Sequence, residues 1–350
     1  ANVGANITLP LYTGGKINAA NNAAKIKIEE VAEKGNQTRG SLVSELTERY
    51  YGLVLALQVV EVRRQVLEGM QHHLSDAKAL EANGIIAKGE RLYAEVHTAE
   101  AERELLKAQK TVETLYSALS NTLGGDESTY IPATSMFILN DIESVSYFKD
   151  LAKQHSPLLK QVGYKKQLAT ENMRLQRADF APQVALTGMA AFYNYQVSPI
   201  IPKWAVGAGV SLKIFDGLNR EYKFSAAKSQ IRQVEAVGHQ AESDILTLID
   251  KLYNEMVTYS QQLPSVNASG RFAEEYLLIK EEAFKEGAAP SSDVVDARLN
   301  LAKIRIERLQ AAYYYDMMLA RLLEACGQSE LFPDYGKRAA AMPIRYEHDF

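Results

Sequence analysis

Cysteine is almost absent from this 350-residue chain, which carries only Cys326. One thiol excludes a disulfide framework and a cysteine-based zinc site, and it assigns no compartment. Long apolar runs are missing too. Nothing approaches the roughly 18 residues required of a membrane-crossing helix, and the opening Ala1-Asn2-Val3-Gly4 has neither a basic n-region nor an apolar h-region. If the chain meets a membrane, it does so with strands. Charge of one sign is also lacking: 39 basic residues against 43 acidic ones give a net charge of -4, which points away from nucleic acid.

Catalytic and metal patterns are equally scarce. His72 and His73 are adjacent and so diverge on a helix, and His97, His155, His239 and His348 are scattered, so no metal-ligand spacing exists. The histidines are expected to be solvated surface residues. Thr13-Gly14-Gly15-Lys16 is a poor phosphate loop, because Pro10 stands where its first glycine must be and Ile17 where Ser or Thr must hold the metal. No Gly-x-Ser-x-Gly, catalytic cysteine context or compact carboxylate pair is found. An enzyme is the least supported class, and no cofactor is expected.

What the chain does have is duplication. Setting Leu9–Gly124 beside Leu212–Gly327 without a gap, at an offset of 203, pairs Tyr12 with Phe215, Gly14 with Gly217 and Ala23-Ala24-Lys25 with Ala226-Ala227-Lys228. The offset continues through Tyr50/Tyr253, Gln58/Gln261, Gly84/Gly287, Ala94/Ala297, Glu104/Glu307 and Gly124/Gly327. Matched glycines and aromatics at one spacing over that length imply a repeated structural unit.

Within each unit, period two gives way to a helical period. Residues 204 to 215 place Val206, Ala208, Val210, Leu212 and Ile214 on one face and Ala205, Gly207, Gly209, Ser211 and Lys213 on the other. Residues 2 to 11 repeat this alternation, and Val184 to Tyr195 forms a third, less regular run ending in Phe192, Tyr193 and Tyr195. Strands of about ten residues with terminal aromatics suit a transmembrane β-barrel, and equally a soluble antiparallel sheet with one wet face.

From Ile17 to Asn83 there is no proline, and a 3-4 spacing runs through Leu46, Tyr50, Leu53, Leu57, Val60, Leu67 and Leu74. At 1.5 Å per residue such a helix would be on the order of 100 Å long. Gly84 breaks it, and a second helix from about Glu90 to Leu123 returns. The second half repeats the hairpin as 218–286, a Gly287-Ala288-Ala289-Pro290 turn, and 293–326, with Pro264 expected to bend or loosen the longer helix. Residues 125–155 are of mixed character, and the tail after Gly327 reads as irregular.

A strand passing through Tyr-Thr-Gly-Gly-Lys or Phe-Asp-Gly into a very long helix, a glycine turn and a returning helix, in tandem, resembles the TolC-like outer-membrane efflux protein family. The segment Gly287-Ala-Ala-Pro-Ser-Ser-Asp-Val-Val-Asp-Ala297 is similar to that family's periplasmic tip signature. The resemblance implies a mainly α fold of long antiparallel hairpins that form a trimeric α-barrel, with a small antiparallel β-barrel section. It divides the chain into a first repeat (1–124), an equatorial linker (125–155), a second repeat (156–327) and a C-terminal equatorial tail (328–350). It also implies a homotrimeric exit duct set in outer-membrane lipid and extending into the periplasm, with a periplasmic adaptor and an inner-membrane transporter as partners. A soluble coiled-coil scaffold or adaptor without channel activity is the alternative.

The second repeat has a helix and strand, over about 48 residues from Ser156 to Lys203, with no counterpart before Ala1. The family supplies four strands per subunit where three are legible here. A first helix and strand are therefore expected to be missing, together with any leader or anchor. At the tip, Asp293 and Asp296 share a helical face, and Glu90 is the counterpart of Asp293. By the resemblance these three would ring the pore; alternatively they complement a helix N-terminus. The turns holding Gly84, Gly89, Gly287, Ala289 and Pro290 would meet the adaptor. Ala289 stands where the family can carry an arginine that helps lock the closed state.

Overall fold

The computed structural model describes residues 2–124, 132–194 and 204–346. The expected Ala1 start, the stretch 125–131 of the linker, Tyr195, the turn Ser198 to Pro202 and His348 lie outside them. In order, the elements are β1 (Asn2–Tyr12), α1 (Lys16–Ala82), α2 (Lys88–Leu123), β2 (Met136–Leu139), α3 (Val145–His155), α4 (Pro157–Ala178), β3 (Gln183–Asn194), β4 (Trp204–Ser211), α5 (Asn219–Lys285) and α6 (Ser291–Ala325). A 3-10 turn at Ser329–Leu331, a short α7 (Phe332–Gly336) and β5 (Ala341–Ile344) close the chain.

The duplication carries into these bounds. Both α1 and α5 have 67 residues, and their first residues, Lys16 and Asn219, stand 203 apart. Lys88 and Ser291, which open α2 and α6, have the same separation. By contacts the chain divides differently, into one unit of residues 1–37 and 155–244 and another of 38–154 and 245–350. Each unit thus takes matching parts of both halves.

The first unit holds a three-stranded antiparallel sheet in the order β1-β3-β4. Its register aligns Ile7 with Gly188 and Val206, and Leu9 with Leu186 and Ala208, so the apolar faces of all three strands coincide. Asn6, Thr8, Thr187, Gly207 and Ser211 share the opposite face. The sheet is set by a tight corner at Gly14 (φ +62°), where a Cβ would stand 2.6 Å from Ala181 Cβ and 2.7 Å from the Ala178 carbonyl oxygen. Only glycine meets both demands.

Strand β4 stops at Ser211, four residues before the end predicted from alternation. The physical cause is Arg220, whose guanidinium donates to the carbonyls of Lys213 at 2.6 Å and Ile214 at 3.1 Å. Those carbonyls are drawn into the turn leading to α5.

The second unit contains the paired returning helices and a small two-stranded sheet. Strands β2 and β5 pair antiparallel, Met136 against Ile344 and Leu139 against Ala341. The tail is therefore not irregular as expected; a four-residue strand is too short to show a period. All four β2 residues are buried. Phe137 and Tyr51 each lie 5.7 Å from the Phe332 ring, and the Phe137 N–H donates to Asp316 Oδ2 at 3.2 Å. Helix α5 continues through Pro264, which is exposed, while Leu263 beside it is buried.

Candidate functional site

Both long hairpins turn in the same way. Gly84 N–H donates to the Glu81 carbonyl and Ile85 N–H to that of Leu80, each at 2.9 Å. Gly287 N–H donates to Phe284 at 2.9 Å and Ala288 N–H to Ala283 at 2.8 Å. This is a Schellman closure, with the glycines left-handed at φ +70° and +73°. The turns differ in their surroundings. A Cβ on Gly84 would meet open space, whereas one on Gly287 would stand 3.0 Å from Ile85 Cγ2, so the two tips touch. Gly89 lies exposed in the first turn of α2, with open space around it. Ala289 N–H donates to the Ala283 carbonyl at 3.2 Å, and Pro290 is the extended residue just before α6.

Neither α2 nor α6 is capped by its own N-cap side chain. Glu90 supplies the cap across the hairpins. Its Oε2 accepts the Ser291 N–H at 2.6 Å, which satisfies an orphan donor and sets a carboxylate at the positive end of α6. Asp293 is partly buried and accepts from Lys280 Nζ of α5 at 2.6 Å. Lys280 in turn lies 5.3 Å from the centre of the Tyr276 ring. Asp296 is exposed on α6. Of the three carboxylates singled out in sequence, one caps a neighbouring helix, one is ion-paired and one faces solvent.

Small residues let the hairpins approach. Ala77, Ala94, Ala273, Val294 and Ala297 are buried in one cluster with Leu277, Phe284 and Leu301. His73 belongs beside them and is not a solvated surface residue. The residue is 5% exposed, and its ring lies 4.4 Å from the Phe284 ring and makes a 2.6 Å hydrogen bond to Ser291 Oγ. Burial, reinforced by the Arg298 guanidinium, pulls its pKa down to about 4. Arg298 itself is paired with Glu281 and occupies the space over Gly69. Sequence reading missed His73, Ser291, Arg298 and Lys280. A signal was present, because Gly69, His73 and Ala77 recur at intervals of four and so share one face of α1, with two small residues beside the histidine.

The other notable surface is the sheet of the first unit. Ile7, Trp204, Val206 and Val210 are each at least 70% exposed, on one continuous apolar face. No described helix is long and apolar enough to cross a membrane, and the described residues contain no His, Cys, Asp or Glu cluster suited to a metal.

The profile of the family described as outer membrane efflux protein matches residues 1–125 and 149–328, well over half of the chain. The chain belongs to the outer membrane efflux protein family. A curated relative, protein CyaE of Bordetella pertussis, is 24% identical over 241 residues, covering 66% of this chain and 50% of CyaE. The chain thus spans half the length of that relative. Among solved structures it is similar to the outer membrane protein VceC of Vibrio cholerae, with a TM-score of 0.79, 18% identity, and coverage of 93% of this chain and 79% of VceC. It is also similar to the open-state MtrE outer membrane channel of Neisseria gonorrhoeae, with a TM-score of 0.72, 17% identity, and coverage of 94% and 80%. At those identities the structural likeness establishes the mainly helical fold of an outer membrane efflux protein.

Proposed function

We propose that this outer membrane efflux protein works as a homotrimeric duct, through which an efflux pump or type I secretion system passes substrates across the outer membrane. The observation that carries the reading is the β1-β3-β4 sheet, whose exposed apolar face is matched in register across three strands and whose other face is small or polar apart from Met189. Lipid outside and water inside a barrel require that asymmetry. A soluble scaffold would leave the same face in water, where a contiguous apolar patch is a liability. Family membership argues against the scaffold as well.

In this reading the repeats 1–124 and 156–327 each give one hairpin to a periplasmic α-barrel, joined by 125–155 and followed by 328–350. β1 and β4 flank β3 antiparallel, so they run in the same direction. A barrel whose neighbours are all antiparallel therefore needs one further strand, of opposite direction, between β4 of one copy and β1 of the next. The turns at Gly84 to Gly89 and Gly287 to Pro290 would meet the periplasmic adaptor, with the inner-membrane transporter supplying the energy. Asp296 and the Asp293–Lys280 pair would face the pore at its narrow end, and Glu90 would order it.

Replacing Gly84 and Gly287 together with valine tests this assignment, because it strains both left-handed turns while leaving the sheet alone. The double variant should still insert as a cross-linkable trimer and lose export. Retained export would contradict the tip assignment, and cross-linking that stops at a dimer would contradict the trimer.

A further inference from the structure

Ser291 is held twice by the other hairpin: its N–H by Glu90 of α2 at 2.6 Å and its hydroxyl by His73 of α1 at 2.6 Å. It is fully buried, so neither bond is a surface accident. Around it, Ile85 touches the Gly287 turn and the His73 ring packs on Phe284 of α5. One residue at the first position of α6 thus gathers hydrogen bonds from two other helices, and one of its partners, His73, is packed on a third. We propose that Ser291 is a releasable latch between the two hairpin tips of one chain, and that acid opens it by placing a charge on His73. The proposal rests on the duct reading only for its consequence, that an open latch widens the tip.

The charges around the ring set the direction. Arg298 of α6 repels a protonated imidazole and is itself tied to Glu281 of α5. Asp76 on α1 and Glu90 on α2 attract it, and Lys285 of α5 lies close enough to feel Asp76. Burial leads this balance, and the ring titrates at about 4 in place of 6.5. With the hairpins apart the ring meets water and recovers its ordinary pKa. A group whose pKa is depressed in the latched state leaves the latch intact above about pH 6.5. Below that, each pH unit weakens it up to about tenfold, and the loss levels off near pH 4 at roughly 300-fold. The neutral ring is hydrogen-bonded to the Ser291 hydroxyl, while a charged ring would have to stay desolvated beside Arg298.

The sequence makes the measurement simple. Cys326 is buried, and Asn83 and Glu286 are exposed on the two tips, so spin labels on Asn83→Cys and Glu286→Cys report the distance between hairpins. In detergent-solubilised protein the distance should be short and narrow at about pH 7.5, and a longer population should grow as the pH falls toward about 5. His73→Phe keeps a ring against Phe284 and cannot be charged, so its distances should not respond to acid. Should that variant fail to fold, His73→Gln retains a hydrogen-bonding group for Ser291 and must also be insensitive to acid. Ser291→Ala should show the longer population already at neutral pH. Unchanged distances in the parent, or an equal acid response in His73→Phe and His73→Gln, would overturn the latch. Conductance in planar bilayers is a separate readout: tips that part on acidification in a protein that passes no current would leave the latch standing and remove the duct.

Discussion

Gly69 of α1 leaves the space that the Arg298 guanidinium of α6 fills, for a Cβ at residue 69 would stand among its atoms. The contact joins the two hairpins within the second unit, and Glu281 holds the arginine from the α5 side. Burial presses the Arg298 pKa down, with the Glu281 carboxylate opposing it.

Gly69→Ala sets two effects against each other. Alanine favours the helix by about 1 kcal/mol over glycine, while displacing a buried, paired guanidinium costs about 3 kcal/mol. Net destabilisation of roughly 2 kcal/mol is expected in denaturant unfolding. Adding Arg298→Ala should remove the clash, so the double variant should be less destabilised than the two single changes sum to. Strict additivity would show that Arg298 does not depend on Gly69.

Selectivity separates Asp293 from Asp296. The first is paired with Lys280 at 2.6 Å and the second is exposed, so in the proposed duct the local field on a passing ion would belong mainly to Asp296. Asp296→Asn should lower cation selectivity, read as a smaller reversal potential in a salt gradient. Asp293→Asn combined with Lys280→Gln removes a neutral pair and should leave the reversal potential near that of the parent. The opposite ranking would place Asp293 in the pore without its lysine.

Asp316 gives a pH test of the β2-β5 sheet. It is wholly buried, and its pKa is raised well above the ordinary carboxylate range, first by burial and despite the Phe137 N–H that it accepts. A carboxyl whose folded pKa is raised favours the fold when protonated, and it costs stability as pH climbs through its unfolded value of about 4 toward the folded one. Asp316→Asn keeps an acceptor for Phe137 without the charge. Unfolding free energy at about pH 7 should rise by roughly 1–3 kcal/mol, and the gap from the parent should shrink toward about pH 4. A variant less stable than the parent at neutral pH would mean that an ionised Asp316 is needed.

Most of the helical architecture was legible because glycine and a long period write themselves into sequence. Gly84 and Gly287 marked both turns, and the predicted helix ends, such as Ile17 and Asn83 for α1, fall within two residues of those observed. The dyad alternation gave the face of Val206 and Ile7 correctly. Long-range pairings were not legible. Nothing local says that Lys280 will meet Asp293, that Glu90 will cap Ser291, or that Met342 will lie beside Ile138. Such pairs are fixed by how hairpins pack against each other, and a lone histidine gives the same local signal exposed or buried.

The central claim is that the β1-β3-β4 sheet faces lipid, and Trp204 tests it most directly. It is the one tryptophan of the chain and lies 70% exposed on the apolar face, paired with Ala190. The protein is reconstituted in vesicles, and the signal of a Trp204→Phe variant is subtracted to isolate this residue. Its fluorescence should then be quenched by phospholipid brominated high on the acyl chain and shielded from aqueous iodide. Full quenching by iodide with none by the brominated lipid would put the sheet in water and contradict the account.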